Sequence, residues 1–201
     1  MADKKKCYAG HKIREFKETA AGGKWLVVDH FEMTGFEKSD ISEIGNKAFE
    51  QMIEQICLSA RHDFDLYGWI SKHIKAMRAK ITRLDIDLKD LCPTTRWGQS
   101  HYKTIPIAVK AAMYSNEHLG TDFGVGDKIP YIYVYKDKTK VIALPEDWGV
   151  KEVAAAGYLI DKKMMFEKQI QNKFEPILSI LGYDVVEMLK GMKQTRIDGL
   201  R

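Results

Sequence analysis

The sequence predicts an α+β protein, in which an N-terminal β-hairpin precedes a mainly helical region with a small second hairpin inserted in it. Two runs of strand-forming residues flank the paired glycines of "ETAAGGK" near the N-terminus. Apolar residues then recur at a spacing of three or four, which is typical of amphipathic helices. Alternating Ile, Tyr and Val in "GDKIPYIYVYKDKTKVIALP" indicate the second hairpin. With 201 residues, 45% of them hydrophobic, the chain can bury a packed core.

The first hairpin is predicted from strands at about 5–16 and 25–33. Two strands alone cannot bury both of their faces, so such a hairpin needs a further surface. That surface is either a sheet of a partner chain or the helices of the same chain. The sequence pattern leaves both alternatives open.

The helical region is predicted to begin after Gly35. A first helix covers about 37–60, with Ser39 or Asp40 as its cap. A second helix runs from about Asp63 to Lys80, and its basic residues lie mostly off the apolar stripe.

Three later helices are predicted as well. One ends at Gly120, and a long one covers about 150–181, where Pro176 bends or interrupts it. A short helix ends at Gly191. The tail, 192–201, has no core pattern and is expected to be mobile until it is bound.

The stretch from Ile81 to Tyr102 is polar and contains Pro93 and Gly98, so a loop is predicted there. Basic residues occur on it beside aromatic ones. Such a combination can bind phosphates and pack against sugars, although basic side chains on a loop can also simply be solvated. The basic residues of this stretch and its C-terminal border are Arg83, Lys89, Arg96, His101 and Lys103.

The composition of the chain gives few indications of its partners or of its function. The net charge of +4 is a mild excess that a solvated surface explains as well as a nucleic-acid partner does. The three cysteines are far apart and form no disulfide framework or zinc motif. No long apolar run or leader pattern is present, so we expect a cytoplasmic protein.

The motifs of common active sites are absent from the sequence. It has no dinucleotide-binding, P-loop, nucleophile-elbow or zinc-protease motif, and its six histidines are scattered. Asp85 and Asp87 lie two residues apart and could hold Mg²⁺ if they stood on a strand. Salt bridges to Arg83 and Lys89 are the simpler interpretation. No independent active site or bound metal is therefore predicted for this chain.

Several stretches resemble family B DNA polymerases, and they occur in that family's order. The opening "KKKCYAG" resembles the lysine-lysine-x-tyrosine motif at the junction of palm and thumb. "TGFEKSD" resembles the start of the thumb, and "KITRLDIDLKD" resembles the segment beyond its first helices. "IPIAVKAA" followed by "GDKIPYIYV" resembles the next helix and hairpin, and "IDKKMMFEKQIQNKFEPILSILG" resembles the last thumb helix. The resemblance covers about residues 4–200.

This resemblance implies three parts: a palm-type hairpin at 1–35, a thumb domain at 36–191 and a tail at 192–201. In that family the catalytic aspartates, the exonuclease and the fingers precede the lysine-tyrosine motif. The chain is therefore similar to the C-terminal piece of a split polymerase, as found in some phages and archaea. A larger partner chain would carry the catalytic parts, bind Mg²⁺ and dNTP, and receive the hairpin into its palm sheet. If the protein is viral, its place would be the host cytoplasm.

The resemblance also implies DNA contacts. Lys5, Lys6 and Tyr8 would lie at the primer terminus, where lysine donors can contact minor-groove acceptors without reading sequence. Cys7 stands where a basic residue is frequent, and Lys4 could substitute for it. The expected phosphate contacts of the thumb are Lys80, Arg83, Arg96, His101, Lys103, Lys168 and Lys173.

The tail resembles a clamp-binding peptide because Gln194, Ile197 and Leu200 have its spacing, although the usual paired aromatics are missing. A frayed tail without a partner is the alternative. For the whole chain, the alternative to a polymerase subunit is a free-standing module that binds duplex DNA. An autonomous enzyme has no site to support it.

Overall fold

The computed structural model describes residues 8–18, 24–36, 40–59 and 64–191, and it confirms the predicted α+β class. Two antiparallel sheets and a set of mostly short helices make up this part of the chain. The strands are β1 (Tyr8–Glu18), β2 (Lys24–Thr34), β3 (Thr94–Arg96), β4 (Lys128–Lys136), β5 (Lys138–Ala143) and β6 (Leu159–Ile160). The helices are α1 (Glu43–Ser59), α2 (Leu66–Arg83), α3 (Leu88–Leu91), α4 (Ile107–Leu119), α5 (Val150–Ala155), α6 (Lys162–Phe166), a π-helical segment (Glu167–Gln171), α7 (Asn172–Ile180) and α8 (Val185–Lys190).

The N-terminal hairpin is present and packs on the helices of its own chain. Strands β1 and β2 pair from Tyr8 opposite Thr34 to Glu18 opposite Lys24. At the Tyr8 end, Ala9, Phe31 and Met33 contact the main hydrophobic core. Within the described residues neither outer edge of this hairpin pairs with a further strand. Packing on the same chain is therefore observed at this end of the hairpin.

Ser42 caps helix α1, because its Oγ accepts a hydrogen bond from the Gly45 N–H at 3.3 Å. The prediction of Asp40 or Ser39 as the cap is wrong, and Ser39 itself lies outside the described residues. The Ser42 N–H donates to Gln169 Oε1 at 2.6 Å, and Gln169 is almost completely buried. The first turn of α1 is thus fixed to the π-helical segment.

Lys173 reinforces the same junction from inside the protein. Its side chain is 8% exposed, and its Nζ donates to the Phe36 carbonyl at 2.7 Å and to Asn46 Oδ1 at 2.9 Å. The ammonium also lies 4.9 Å from the centre of the Phe49 ring, at cation–π distance. Sequence reasoning places Lys173 among exposed phosphate contacts, and its burial corrects this expectation: the residue is structural.

The predicted loop from Ile81 to Tyr102 is wrong over its first half. Helix α2 continues to Arg83 and ends at Leu84, whose φ of 55° places it in the left-handed region. Asp87 then caps α3, since its Oδ1 accepts from the Lys89 N–H at 2.9 Å. Leu88 and Leu91 anchor this single turn in the core. The carboxylate of Asp87 therefore serves a helix terminus on a turn, and no strand carries the Asp85–Asp87 pair.

The predicted long helix at 150–181 is interrupted early, and not at Pro176. Gly157 turns the chain with a φ of 81°, and β6 then pairs with β4, with Val134 opposite Ile160. Asp161 caps α6, and helical structure continues from there through the π-helical segment into α7. Pro176 lies inside α7 without ending it. Two residues of strand carry no periodicity, which explains why the sequence pattern missed this break.

The small sheet has β4 at its centre, and α4 covers it. Strand β5 pairs along one edge of β4, while β3 and β6 pair with its two ends. Buried Ser115 fixes α4 to β5, because its Oγ donates to the Ala143 carbonyl and accepts from the Ala143 N–H, at 3.2 and 2.9 Å. The helix side facing the sheet is rich in small residues, Ala108, Ala111 and Ala112. The predicted hairpin and the helix that ends at Gly120 are both confirmed.

We predict that Gly45→Ala lowers the free energy of unfolding, although alanine normally favours a helix over glycine by about 1 kcal/mol. A Cβ at this position would lie 2.6 Å from the Gln169 carbonyl oxygen, so the backbone would have to move. Overpacking of this kind costs about 1–3 kcal/mol. The measurement is urea denaturation followed by circular dichroism. Gly98→Ala is the control, since its nearest neighbour would be the Tyr102 hydroxyl at 3.9 Å, and an equal loss in both variants would contradict the close contact.

A second prediction tests the structural assignment of Lys173. Lys173→Met should lower the free energy of unfolding by about 1–3 kcal/mol, because two oxygens in a partly buried site lose their donor. Lys168→Met is the matched control on the neighbouring turn, where the side chain is 40% exposed and its ion pair contributes little to stability. Equal stability of the two variants in a urea titration would refute the structural role.

Candidate nucleic-acid interface

A concave surface lined by basic side chains, which we call the basic groove, lies between α2, α6 and α8. Two adjoining depressions make up this groove and share Arg78, Thr82 and Leu189. Among the described residues that line it, six are basic and one, Glu167, is acidic. The basic residues are Lys75, Arg78 and Arg83 of α2, Lys162 and Lys163 of α6, and Lys190 of α8.

Three contacts fix the walls of the groove. The buried hydroxyl of Ser71 on α2 donates to the Met188 carbonyl of α8 at 3.2 Å. Lys162 Nζ donates to the Thr82 carbonyl at 2.8 Å and so ties the start of α6 to the last turn of α2. Asp161 holds α6 in place as its cap, accepting from the Met164 N–H at 2.9 Å. The basic side chains are therefore presented by helices that are rigidly connected.

The basic side chains of the groove are all exposed, and one of them, Lys162, also makes a hydrogen bond within the protein. Lys75, Arg78, Arg83, Lys163 and Lys190 all lie at the surface of the described chain. Lys162 is exposed as well, but it uses one of its three donors on Thr82. Part of the charge is structural, since cations near the last turn of a helix interact favourably with its dipole. Helix-terminal charge does not explain Lys75, Arg78 or Lys163, which lie away from helix C-termini or at a helix start.

Of the residues singled out in the sequence, Arg83 belongs to the groove and Lys80 does not. Lys80 is exposed but is not among the described residues that line the groove. It lies instead near His73, where its charge and, more strongly, burial lower the pKa of the imidazole. The His73 ring is stacked 4.8 Å from Trp69 and bonds the Ala48 carbonyl at 3.0 Å, so this histidine is a packing residue.

Three other predicted DNA contacts, Arg96, His101 and Lys103, lie at the end of β3 or shortly after it. Arg96 lies on β3 and not on a loop, and its Nε donates to the Gly126 carbonyl at 3.0 Å. The turn that follows is closed by Tyr102, whose hydroxyl accepts from the Gly98 N–H at 3.0 Å. His101 and Lys103 are exposed on either side of Tyr102. Arg96 therefore lies directly before the turn that His101 and Lys103 border, and none of the three is among the described residues that line the basic groove.

Of the remaining predicted contacts, some lie within the described residues and some lie outside them. Lys168 lies in the π-helical segment, 40% exposed and 3.6 Å from the Glu167 carboxylate. Tyr8 is the first residue of β1 and is half-exposed. The predicted DNA contacts Lys4, Lys5 and Lys6 and the predicted clamp-binding residues Gln194, Ile197 and Leu200 lie outside the described residues.

Sequence reasoning missed five of the six groove residues. A signal was available on α2, where Lys75, Arg78 and Arg83 are spaced so that they fall on one side of the helix. No local signal joins Lys162, Lys163 and Lys190 to them, because these residues come from two later helices. Only the tertiary packing of α6 and α8 on α2 assembles the groove.

The described residues also give information on metal binding and on membrane insertion. No group of three or more histidine, cysteine, aspartate or glutamate side chains is placed to hold a metal ion in this part of the chain. None of its helices has both the length and the apolar character needed to cross a bilayer.

Comparisons with known proteins show a likeness in structure and none in sequence. No protein-family model matches the chain, and no curated protein matches it in sequence. Among solved structures, the chain is similar to the family B DNA polymerase of the hyperthermophilic archaeon Pyrobaculum calidifontis, with a TM-score of 0.58 and 19% identity. The match covers 80% of this chain and 20% of that one, so the chain spans about a fifth of the polymerase's length. The likeness establishes that the chain has the fold of one part of a family B DNA polymerase.

Proposed function

We propose that this chain is the thumb subunit of a split family B DNA polymerase and that it holds the primer-template duplex during replication. The observation that carries the proposal is the basic groove, formed on a fold that occurs in a DNA polymerase. A larger partner chain would supply the exonuclease, palm and fingers. That partner would bind Mg²⁺ and dNTP and catalyse nucleotidyl transfer.

The dimensions of the groove suit a nucleic-acid backbone. Lys75 and Arg83 are eight residues apart on α2, which corresponds to about 12 Å of helix. Successive phosphates of one DNA strand are spaced about 3.4 Å along the duplex axis. The α2 side of the groove can therefore reach about three phosphates, and α6 and α8 add further donors. Such contacts position a duplex without reading its sequence, as a replicative enzyme requires.

The other expected contacts belong to the same proposal. The tail would bind a sliding clamp through Gln194, Ile197 and Leu200. The N-terminal motif would contact the primer terminus, and the exposed residues outside the groove would add phosphate contacts. These additional DNA contacts are Lys4, Lys5, Lys6, Tyr8, Lys80, Arg96, His101, Lys103 and Lys168.

A free-standing duplex-binding module is the second candidate, and one observation favours it. Ala9, Phe31 and Met33 of the hairpin already pack on the core of the same chain. The Tyr8 end of the hairpin is therefore packed without a partner's palm sheet. Both candidates need the groove, and they differ in whether a second chain is bound.

The groove is tested by charge reversal. The double variant Lys75→Glu, Arg78→Glu should bind duplex DNA at least tenfold more weakly, and its plot of log affinity against log salt should be shallower by about 2, or about 0.9 for each lost phosphate contact. Fluorescence anisotropy with a labelled primer-template measures both quantities. Lys151→Glu, an exposed lysine of α5 outside the groove lining, is the matched control. Equal losses in the double variant and the control would rule out the groove as the binding surface.

The polymerase assignment is tested by recovery of the tagged chain from its native source at low salt. We expect a larger chain with polymerase palm motifs to co-elute, and we expect primer extension to require both chains. With the Lys75→Glu, Arg78→Glu variant the partner should still co-elute while extension falls, since the groove binds DNA and not the partner. A chain that elutes alone and still binds duplex DNA would establish the free-standing module instead.

A further inference from the structure

A second depression, which we call the α4–β5 pocket, lies outside the basic groove and is not used by the proposed function. The start of α4 forms one side of it, with Ile105 and Ile107, and β5 forms the other. Lys110 and Tyr114 continue the lining along α4. On β5 the lining residues are Lys138, Lys140 and Val141.

The floor of the pocket is aliphatic and accessible. Ile105 is 37% exposed and Ile107 is 39% exposed, although both are large apolar side chains. Val141 lies beside them, partly buried against the main core. Exposed apolar residues that line a common depression and have polar residues at its rim are typical of a surface that binds another molecule.

The rim is cationic. Lys110, Lys138 and Lys140 surround the floor, and no acidic side chain is among the described residues that line it. Lys110 and Lys138 are exposed, whereas Lys140 donates to the Tyr114 hydroxyl at 3.1 Å. The charge of the pocket therefore complements carboxylates.

Tyr114 places a hydroxyl group in the same lining. This hydroxyl lies 3.0 Å from that of Tyr158, and either group can donate in that hydrogen bond. Lys140 donates to the Tyr114 oxygen, and the hydrogen bonds to Tyr158 and Lys140 lower the pKa of Tyr114. These contacts hold Tyr114 and Lys140 in place at the edge of the pocket.

The lining argues against a single-stranded nucleic acid as the occupant. Bases bind protein surfaces by stacking on aromatic rings. Tyr114 is the aromatic residue among the described lining, and its ring already contacts the His118 ring, with 4.3 Å between centroids. The floor offers β-branched aliphatic groups, which suit an aliphatic side chain of a peptide.

The two terminal segments of the chain are also poor candidates for the occupant of the α4–β5 pocket. Residues 1–7, "MADKKKC", and 192–201, "MKQTRIDGLR", each contain more basic than acidic residues. Either end would bring positive charge to a rim of lysines.

We propose that the α4–β5 pocket binds an acidic peptide segment of a partner protein. An aliphatic side chain of the peptide contacts Ile105 and Ile107, and its carboxylates accept hydrogen bonds from Lys110 and Lys138. This inference is independent of the proposed function, because it rests on a different surface and needs no DNA.

The test uses the full chain and a short fluorescein-labelled peptide of alternating aspartate and leucine. We expect saturable binding by anisotropy, with amide NMR shifts at the start of α4 and along β5. The double variant Lys110→Glu, Lys138→Glu should bind about tenfold more weakly, since two rim charges are reversed. Ile107→Ala should weaken binding as well, and a peptide with serine in place of leucine should bind less tightly than the original.

Two controls make the outcome decisive. Lys75→Glu, Arg78→Glu removes basic charge from the groove, and it should leave peptide affinity unchanged. Dispersed amide spectra of every variant confirm that each is folded. Absence of peptide binding, equal affinity for the rim variant and wild type, or preferential binding of an oligothymidylate at this pocket would each overturn the proposal.

Discussion

The junction between the first turn of α1 and the π-helical segment is the constraint on which the arrangement of the helices depends. Gln169 accepts the Ser42 N–H through its side chain, and its carbonyl lies so close to Gly45 that no Cβ fits there. One turn later Lys173 donates to the Phe36 carbonyl and to Asn46. These are polar contacts in a buried setting, where losing one partner costs more than the hydrogen bond itself contributes. They fix the axis of α6 and α7 against α1.

The π-helical segment keeps the inward-facing residues of the continuous helix from α6 to α7 directed at the core. Its inward-facing residues come in pairs four residues apart: Met165 and Phe166, Gln169 and Ile170, Lys173 and Phe174, Ile177 and Leu178. In a regular α-helix, residues four apart are rotated by about 40°, so such a stripe would drift away from the core. A π-helical turn contains more residues than an α-helical turn and restores the register. Because α6 is thereby held at a defined position, Lys162 can reach Thr82 and complete the wall of the groove.

These details explain how much of the fold and of the candidate site the sequence could predict. Helices with a regular apolar stripe, such as α1 and α4, and the alternating strands β4 and β5 were predictable because their periodicity is local. The single turn α3 and the two-residue strand β6 are too short to have a period, and they depend on Asp87, Gly157 and long-range packing. The candidate site divides in the same way. Basic residues on α2 can be read as one side of a helix, but the lysines of α6 and α8 join them only through tertiary contacts. Lys173 shows the converse error, since a lysine in a polar-looking helix turn is buried by partners that are distant in sequence.

The lysines of this protein act in three distinct ways, and their surroundings decide which. At Lys173, two fixed oxygens and the Phe49 ring satisfy the ammonium, so no further ligand can be bound there. In the basic groove, rigidly connected helices place six cations around a concave surface, which favours a polyanion whose charges are evenly spaced. In the α4–β5 pocket, fewer cations surround exposed isoleucines, which favours a ligand that combines carboxylates with an aliphatic group. The net charge of +4 cannot distinguish these three roles, because it sums all charged residues without regard to their surroundings. The number of neighbouring charges and the groups beside them determine which ligand each lysine can bind.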